Sequence, residues 1–498
     1  MAAKSTTAKI IFGLKVRQLR QRKGLSYAEL QRTSGLSQSY LNEIEKGKKF
    51  PKGTKVDALA EALGVSAAEL TDPHLYGELS PVGDLLSSNF LSELPLELFG
   101  IELSRVVDII AKSPAEVGAF IRTLLDISRT YAVGETNFYF AALRSYLEMH
   151  HNYFPKLERR VEEFARHHRL GGVLPTSTDL RKILEKKYGY TVVENGFEAT
   201  GPLKKVRSYF VPAGKRLLLS DKLTEGQRLF QLGKELGFNY LDLTERAGTS
   251  SLLRVKSFNE VLNHFQAGYF SAALLLRRDR FVRDLQDIFQ QPRWEGERLT
   301  RIIDKYNVSS ETFFQRMTNL VPQEFGIRRV FFFRFKHYLR SNTFQIDKEL
   351  HLDQRHTPHG NGLREHYCRR WLAISVLDDL HRMQREGRYV NNIIGIQRNR
   401  YPDSDEEYLV MTLARSNDPE PGQNISMSFG MVLDDRAKRV LKFWNDPTIH
   451  QREVGTTCER CPIADCSVRA APPVMIEKRE RRRRTEEALR ALAVSREP

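Results

Sequence analysis

The sequence predicts a multidomain chain that is mainly α with α/β parts. Three observations lead there. At 498 residues the chain is too long for one hydrophobic core, and about 150 residues per domain suggests roughly three. Residues 10–72 hold a series of short helical patterns punctuated by serines and glycines. Three of the four cysteines, Cys458, Cys461 and Cys466, fall within nine residues near the C-terminus.

Composition narrows the class. The formal net charge of +16 points to a polyanionic partner, nucleic acid first. The N-terminus lacks an apolar stretch followed by a cleavage site. No apolar run approaches the roughly 20 residues needed to span a bilayer. The expectation is a cytoplasmic protein with reduced thiols and no membrane contact.

The N-terminal elements follow in order. Residues 10–23 show helical apolar spacing through Ile11, Leu14, Val16 and Leu19, and Gly24 stops the helix. Ser26 is placed to cap a helix over 27–33, and Ser34-Gly35-Leu36 form a turn. Ser37 is placed to cap a third helix over 38–46, which Gly47 ends. Residues 57–63 and 66–70 give two more. Helix, short glycine-containing turn, helix is the helix-turn-helix pattern.

This segment resembles the Cro/C1-type (XRE-family) repressor domain, a five-helix unit, most closely in the run Leu36-Ser37-Gln38-Ser39-Tyr40-Leu41-Asn42-Glu43-Ile44-Glu45-Lys46-Gly47. The resemblance implies a third helix whose start enters the major groove of double-stranded DNA. Gln38, Ser39, Asn42 and Glu43 match its base-reading positions. Gln and Asn can pair with adenine, and Glu can accept from cytosine. Arg17, Lys48, Lys49 and Lys52 suit phosphates, which set register without reading sequence. Leu41 and Ile44 read as core. Such domains usually bind palindromic operators as dimers, so a homodimer is expected, with its contact elsewhere in the chain.

Residues 85–170 read as a helical connector, with helices at 103–111, 114–131, 136–150 and 154–168 and a possible role in dimerisation. Aromatics are dense at Phe138, Tyr139, Phe140, Tyr146, Tyr153 and Phe154. Their helical spacing favours packing over a base-stacking surface.

After Gly171-Gly172 the pattern changes. A helix over 179–188, strands at 191–193, 206–211 and 216–219, and helices over 227–240 and 259–276 are predicted. Residues 172–290 resemble the ImmA/IrrE-type domain, a zincin-like peptidase module. In that family a His-Glu-x-x-His helix holds zinc with the Glu as general base. The matching run is Lys234-Glu235-Leu236-Gly237-Phe238, and the third ligand position falls on Gln266. An ammonium, a phenyl ring and an amide make no zinc site. The resemblance therefore implies a pseudo-peptidase with no catalytic residues, whose retained cleft serves as a sensor pocket. Lys234, Arg277 and Arg278 suit an anionic ligand there. His264 lies close by, where a lone histidine is more often a core or surface residue.

Residues 291–476 mix strands at 328–335, 408–414 and 425–433 with a helix over 367–385, an α/β sensory region. A basic tail, 477–498, carries Arg481 to Arg484. Thiolates at C-x₂-C-x₄-C spacing can converge on one metal centre. A disulfide is the weaker reading, because three local cysteines leave one unpaired.

The whole order resembles the short-chain fatty acyl transcriptional regulators. The places that carry the likeness are the head, the degenerate active helix, and Cys458, Cys461 and Cys466 followed by Pro472-Pro473. The resemblance implies an earlier cysteine as fourth ligand, at Cys368, a 4Fe–4S cluster, and acyl-CoA esters as effectors. Zinc stays open, since His356, His359 and His366 lie near Cys368. Two rival functions also stand: an active metallopeptidase that cleaves a repressor, and a phage-repressor-like protein.

Overall fold

A computed structural model describes residues 6–76, 135–170, 174–250, 255–352, 365–388, 390–402, 404–417 and 422–494. The helices expected at 103–111 and 114–131, and His356 and His359, lie outside these residues. The chain divides into two compact units, Met1–Tyr146 with Lys256–Asn259, and Leu147–Val255 with Glu260–Pro498.

The first unit contains the five predicted helices: α1 (Thr6–Arg22), α2 (Tyr27–Ser34), α3 (Gln38–Glu45), α4 (Gly53–Leu63) and α5 (Ala67–Thr71). Ser26 and Glu29 form a reciprocal capping box on α2, and Gly35 ends it at φ 70°. Ser37 caps α3. Helix α4 starts four residues before the expected 57, because Lys52 occupies its N-cap without a side-chain bond and leaves no capping signal to read. Phe12, Val16, Leu30, Leu41, Ile44, Leu59 and Leu63 form one core. Gly13 is the crossing point of α1 over α3. A methyl group there would lie 2.2 Å from the Ile44 carbonyl oxygen.

Helix α6 (Glu135–Met149) leads to the second unit, which begins with α7 (Pro155–His167) and α8 (Ser177–Tyr188). Strands β1 (Thr191–Phe197), β2 (Ser208–Val211) and β3 (Arg216–Ser220) make a sheet of order β1-β3-β2, with β1 parallel and β2 antiparallel to β3. Helices α9 (Glu225–Tyr240), α10 (Phe258–Leu275), α11 (Arg278–Phe289), α12 (Gly296–Tyr306) and α13 (Ser310–Phe325) follow.

The expected boundaries at 170 and 290 do not hold. Glu158 on α7 is gripped by Arg316 on α13 at 2.6 and 2.9 Å, and Tyr269 on α10 donates to it at 2.6 Å. Arg316 is fully buried. A buried guanidinium needs its carboxylate in place, so 155–167 and 310–325 belong to the same body. Phe154 packs edge-on against Phe265 and Tyr269, and Tyr139 and Tyr146 are buried, whereas Phe140 is exposed.

The remaining elements are β4 (Val330–Tyr338), β5 (Thr343–His351), α14 (Leu372–Arg385), β6 (Ile393–Arg400), β7 (Glu407–Ser416), β8 (Gln423–Val432), α15 (Asp435–Val440), β9 (Gln451–Glu453) and α16 (Val474–Val494). The six strands run β5-β4-β8-β7-β6-β9, antiparallel except for the β6–β9 pair. Helices α14 and α13 both pack on this sheet, which is why β8 is buried along almost its whole length. Helix α14 starts at Leu372, not 367. The backbone before it is tied instead to the cysteine loop, which leaves Cys368 in a turn ahead of the helix. Among the described residues no helix is long and apolar enough to cross a membrane.

Candidate functional site

Helix α3 presents Gln38 and Ser39 to solvent, with Asn42 and Glu43 half-buried beside them. Leu41 and Ile44 are fully buried. Lys48, Lys49 and Lys52 are exposed and Arg17 is half-buried. The residue that fixes α3 is Glu45, which the sequence reading did not single out. It is 1% exposed, takes two bonds from Arg20 at 2.6 and 2.9 Å, and accepts the Tyr27 hydroxyl at 2.7 Å. Burial, reinforced by Glu45, pushes the Tyr27 phenol up to about 12. One carboxylate thus joins α1, α2 and α3. Its signal was legible: an acid at the i+4 position of the Leu41, Ile44 apolar stripe needs a buried partner.

At the peptidase-like centre Lys234, Glu235 and His264 all bond to neighbouring protein groups, while the Arg246 Nε is buried without a partner among the described residues. The Lys234 ammonium meets the Ser250 carbonyl at 3.2 Å and His264 Nδ1 at 3.0 Å. Burial, with Arg246 adding repulsion, brings Lys234 down to about 7 and His264 down to about 3. Glu235 is held by both Arg246 nitrogens at 2.7 Å and by the Tyr190 hydroxyl at 2.7 Å. Phe238 packs edge-on against His264 at 5.0 Å.

Two expectations do not match the fold. His264, not Gln266, faces Lys234 and Phe238. Two residues further along α10 is about 200° round the helix, which turns Gln266 away from them. The centre is also not an open anion pocket. Lys234 is buried, Arg278 pairs with Glu324 at 2.7 Å, and Arg277 lies 3.6 Å from Asp279.

Cys368, Cys458, Cys461 and Cys466 line one partly open recess with Arg369, Arg370 and Arg469. Cys368, Cys458 and Cys461 are buried and Cys466 is half-buried. Two chain segments are zipped together to build it. The Cys458 amide donates to the His366 carbonyl at 2.8 Å, and the Cys368 amide to the Thr456 carbonyl at 3.2 Å. Glu365 accepts from Thr457 at 2.6 Å and from Arg460 at 2.8 Å. His366 pairs with Glu459 at 2.8 Å, so it is engaged at the rim. Arg469 clamps the loop through the Cys458 carbonyl at 2.8 Å and the Ile463 carbonyl.

The donor set suits a thiolate-bound group. The Ala470 amide donates to Cys458 Sγ at 3.3 Å. Burial pushes the Cys368 thiol up, while amides of Gly455 and Arg370 favour its thiolate. Gly455 leaves room for Cys461, whose sulfur would lie 2.7 Å from a methyl placed there. The space free for an atom centre inside is only about 10 Å³. Among the described residues, no three His, Cys, Asp or Glu side chains are drawn to single-ion spacing.

Fold and site together define a DNA-reading head and a body whose peptidase-like centre has been rebuilt with lysine and phenylalanine. A family model described as a helix-turn-helix domain matches residues 11–72. One described as an IrrE N-terminal-like domain matches residues 186–318. The chain belongs to the helix-turn-helix transcriptional regulators, with an IrrE-like domain behind the head. Among its relatives is the HTH-type transcriptional regulator RamB of Mycobacterium tuberculosis, 24% identical over 93% of this chain and 95% of that protein. A propionyl-CoA carboxylase regulator of Cereibacter sphaeroides is 22% identical over 95% and 96%. An uncharacterised HTH-type regulator of Sinorhizobium fredii is 41% identical over 63 residues, 13% of this chain and 82% of that protein.

Proposed function

We propose that the chain is a sequence-specific operator-binding regulator, acting as a homodimer, whose cysteine recess takes a 4Fe–4S cluster and senses the state of the cell. The observation that carries this is the convergence of Cys368, Cys458, Cys461 and Cys466, from segments ninety residues apart, on one recess. When bound, such a cluster supplies a redox-labile link between the two segments. The chain's own residues hold the two segments together through Glu365, Arg469 and the paired backbones. Cys466 is the least buried of the four thiols. A single zinc ion is the second reading, since four thiolates suit it as well.

The name of the C. sphaeroides relative supports a short-chain acyl-CoA ester, or another small anion, as effector and fatty-acid or central carbon metabolism genes as targets. We read the protein as non-enzymatic, since Lys234, Phe238 and His264 offer no three-ligand zinc site.

Anaerobic purification with iron, zinc and sulfide assays and a visible spectrum tests the sensor. About four irons and four sulfides per chain are expected, lost in Cys458→Ser. Colourless protein with one zinc removes the cluster and leaves operator binding standing. Operator binding is tested separately, by selection from random DNA with the native chain and with Asn42→Ala.

A further inference from the structure

The second unit holds a polar cleft of about 190 Å³ that neither the head, the peptidase-like centre nor the cysteine recess uses. The first turns of two long helices meet there. Thr224 caps α9 and Ser309 caps α13, each 16 residues long. First-turn amides lack partners within their helix and carry partial positive charge. The acidic residues of the two first turns face other partners: Glu225 pairs with Arg228 at 3.0 Å and Glu311 with Arg334 at 2.5 Å.

A second feature is a buried hydroxyl. Ser310 is 5% exposed and lines the cleft, yet its hydroxyl has no hydrogen-bond partner among the described residues. Buried hydroxyls are rarely left so. Arg415 lines the cleft as well, its guanidinium 3.4 Å from the Ser416 carbonyl. Asp304 opposes this positive field from an exposed position. Gly226 keeps the first turn of α9 close to α12. A side chain there would come 2.4 Å from the Asn307 carbonyl oxygen.

We propose that this cleft binds a small oxyanion, a phosphate or carboxylate, on the N-termini of α9 and α13 with Arg415 and the Ser310 hydroxyl. The volume suits a free ion or the charged end of a larger ester. The proposal deepens the effector reading above, and rests on it only for the regulatory meaning of binding.

Calorimetric titration of the full-length protein with inorganic phosphate, acetate and propionyl-CoA tests it. Phosphate or acetate binding is expected, weakened about tenfold or more by Ser310→Ala and by Arg415→Gln and strengthened by Asp304→Asn. Ser310→Ala should unfold no more easily than the native chain, because the hydroxyl it removes has no partner to lose. That separates a binding role from a packing one. Failure of phosphate and acetate to bind at millimolar concentration, or equal binding by native and both variants, overturns the site. If both variants also weaken propionyl-CoA binding, the charged end of an ester is the guest. If they weaken phosphate alone, the site takes the free ion, and the effector reading stands or falls by its own operator-binding assay.

Discussion

Lys234 is a buried ammonium held by the Ser250 carbonyl and His264. Its ammonium stands where the resemblance puts a metal-binding side chain, and it meets His264 from the neighbouring helix. The cost of burying it is readable as pH dependence. Burial lowers its folded value to about 7 from 10.5. Between those values the unfolded chain holds the proton and the folded chain does not. Stability should therefore rise with pH from about 7 to about 10.5, with the full cost of the buried charge present below about 7. Lys234→Met should lose that slope and gain most over the native chain near pH 7. Urea midpoints of both proteins at pH 7 and pH 9.5 decide it. An unchanged gap between them would mean Lys234 is already neutral, or not the source. His264, held at about 3 by burial and the Lys234 and Arg246 cations, acts at the other end. Its unfolded form gains a proton below 6.5 that the folded form refuses, so stability falls with pH from there towards about 3.

At the scale of the helix, α3 depends on what lies behind it. Gly13 lets α1 cross it with nothing between, and Gly13→Ala places a methyl against the Ile44 carbonyl. Overpacking of this kind costs about 1–3 kcal/mol. Because it displaces α3, operator affinity should fall alongside stability. Native operator affinity in Gly13→Ala would show that α1 carries the strain instead. On the outer face, the proposed base-reading and phosphate-binding roles predict different outcomes. Asn42→Ala should relax base preference at one operator position, at a cost of about 1–3 kcal/mol. Lys49→Ala should weaken all sequences alike and lower the salt dependence by about one unit. Equal loss on specific and random DNA in both variants would dissolve the distinction.

These faces were legible because caps, glycine stops and apolar spacing agree over residues 10–72. Elsewhere the reading was local and the answer was not. Gln266 was matched by neighbouring residues in the sequence, but His264 is what the fold turns inward. The expected edges at 170 and 290 failed because Glu158 and Arg316, far apart in sequence, meet only in the folded body. Strand β5 escaped notice because, as an edge strand with charged side chains, it lacks an apolar signature.

The whole molecule consists of two units, each with its own core. Phe12, Leu30, Leu41 and Leu59 anchor the head, and Phe333, Trp371, Leu377 and Val410 lie in the core beside the cysteine recess. Separate cores predict separate unfolding transitions in calorimetry of the full chain. Gly13→Ala should lower one transition and leave the other unmoved. A ligand of the recess stabilises only the unit that binds it. Removal of bound iron or zinc by a chelator, or Cys461→Ser in metal-loaded protein, should therefore lower the second transition alone. A single transition shifted by both changes would mean that the units fold as one. Operator affinity then tests whether the recess addresses the head. If operator affinity of metal-loaded native chain and Cys461→Ser is the same while the second transition differs, the recess stabilises the body without addressing the head. If affinity changes while the first transition stays in place, the signal reaches α3 without unfolding it, as a sensor coupled to a reader requires.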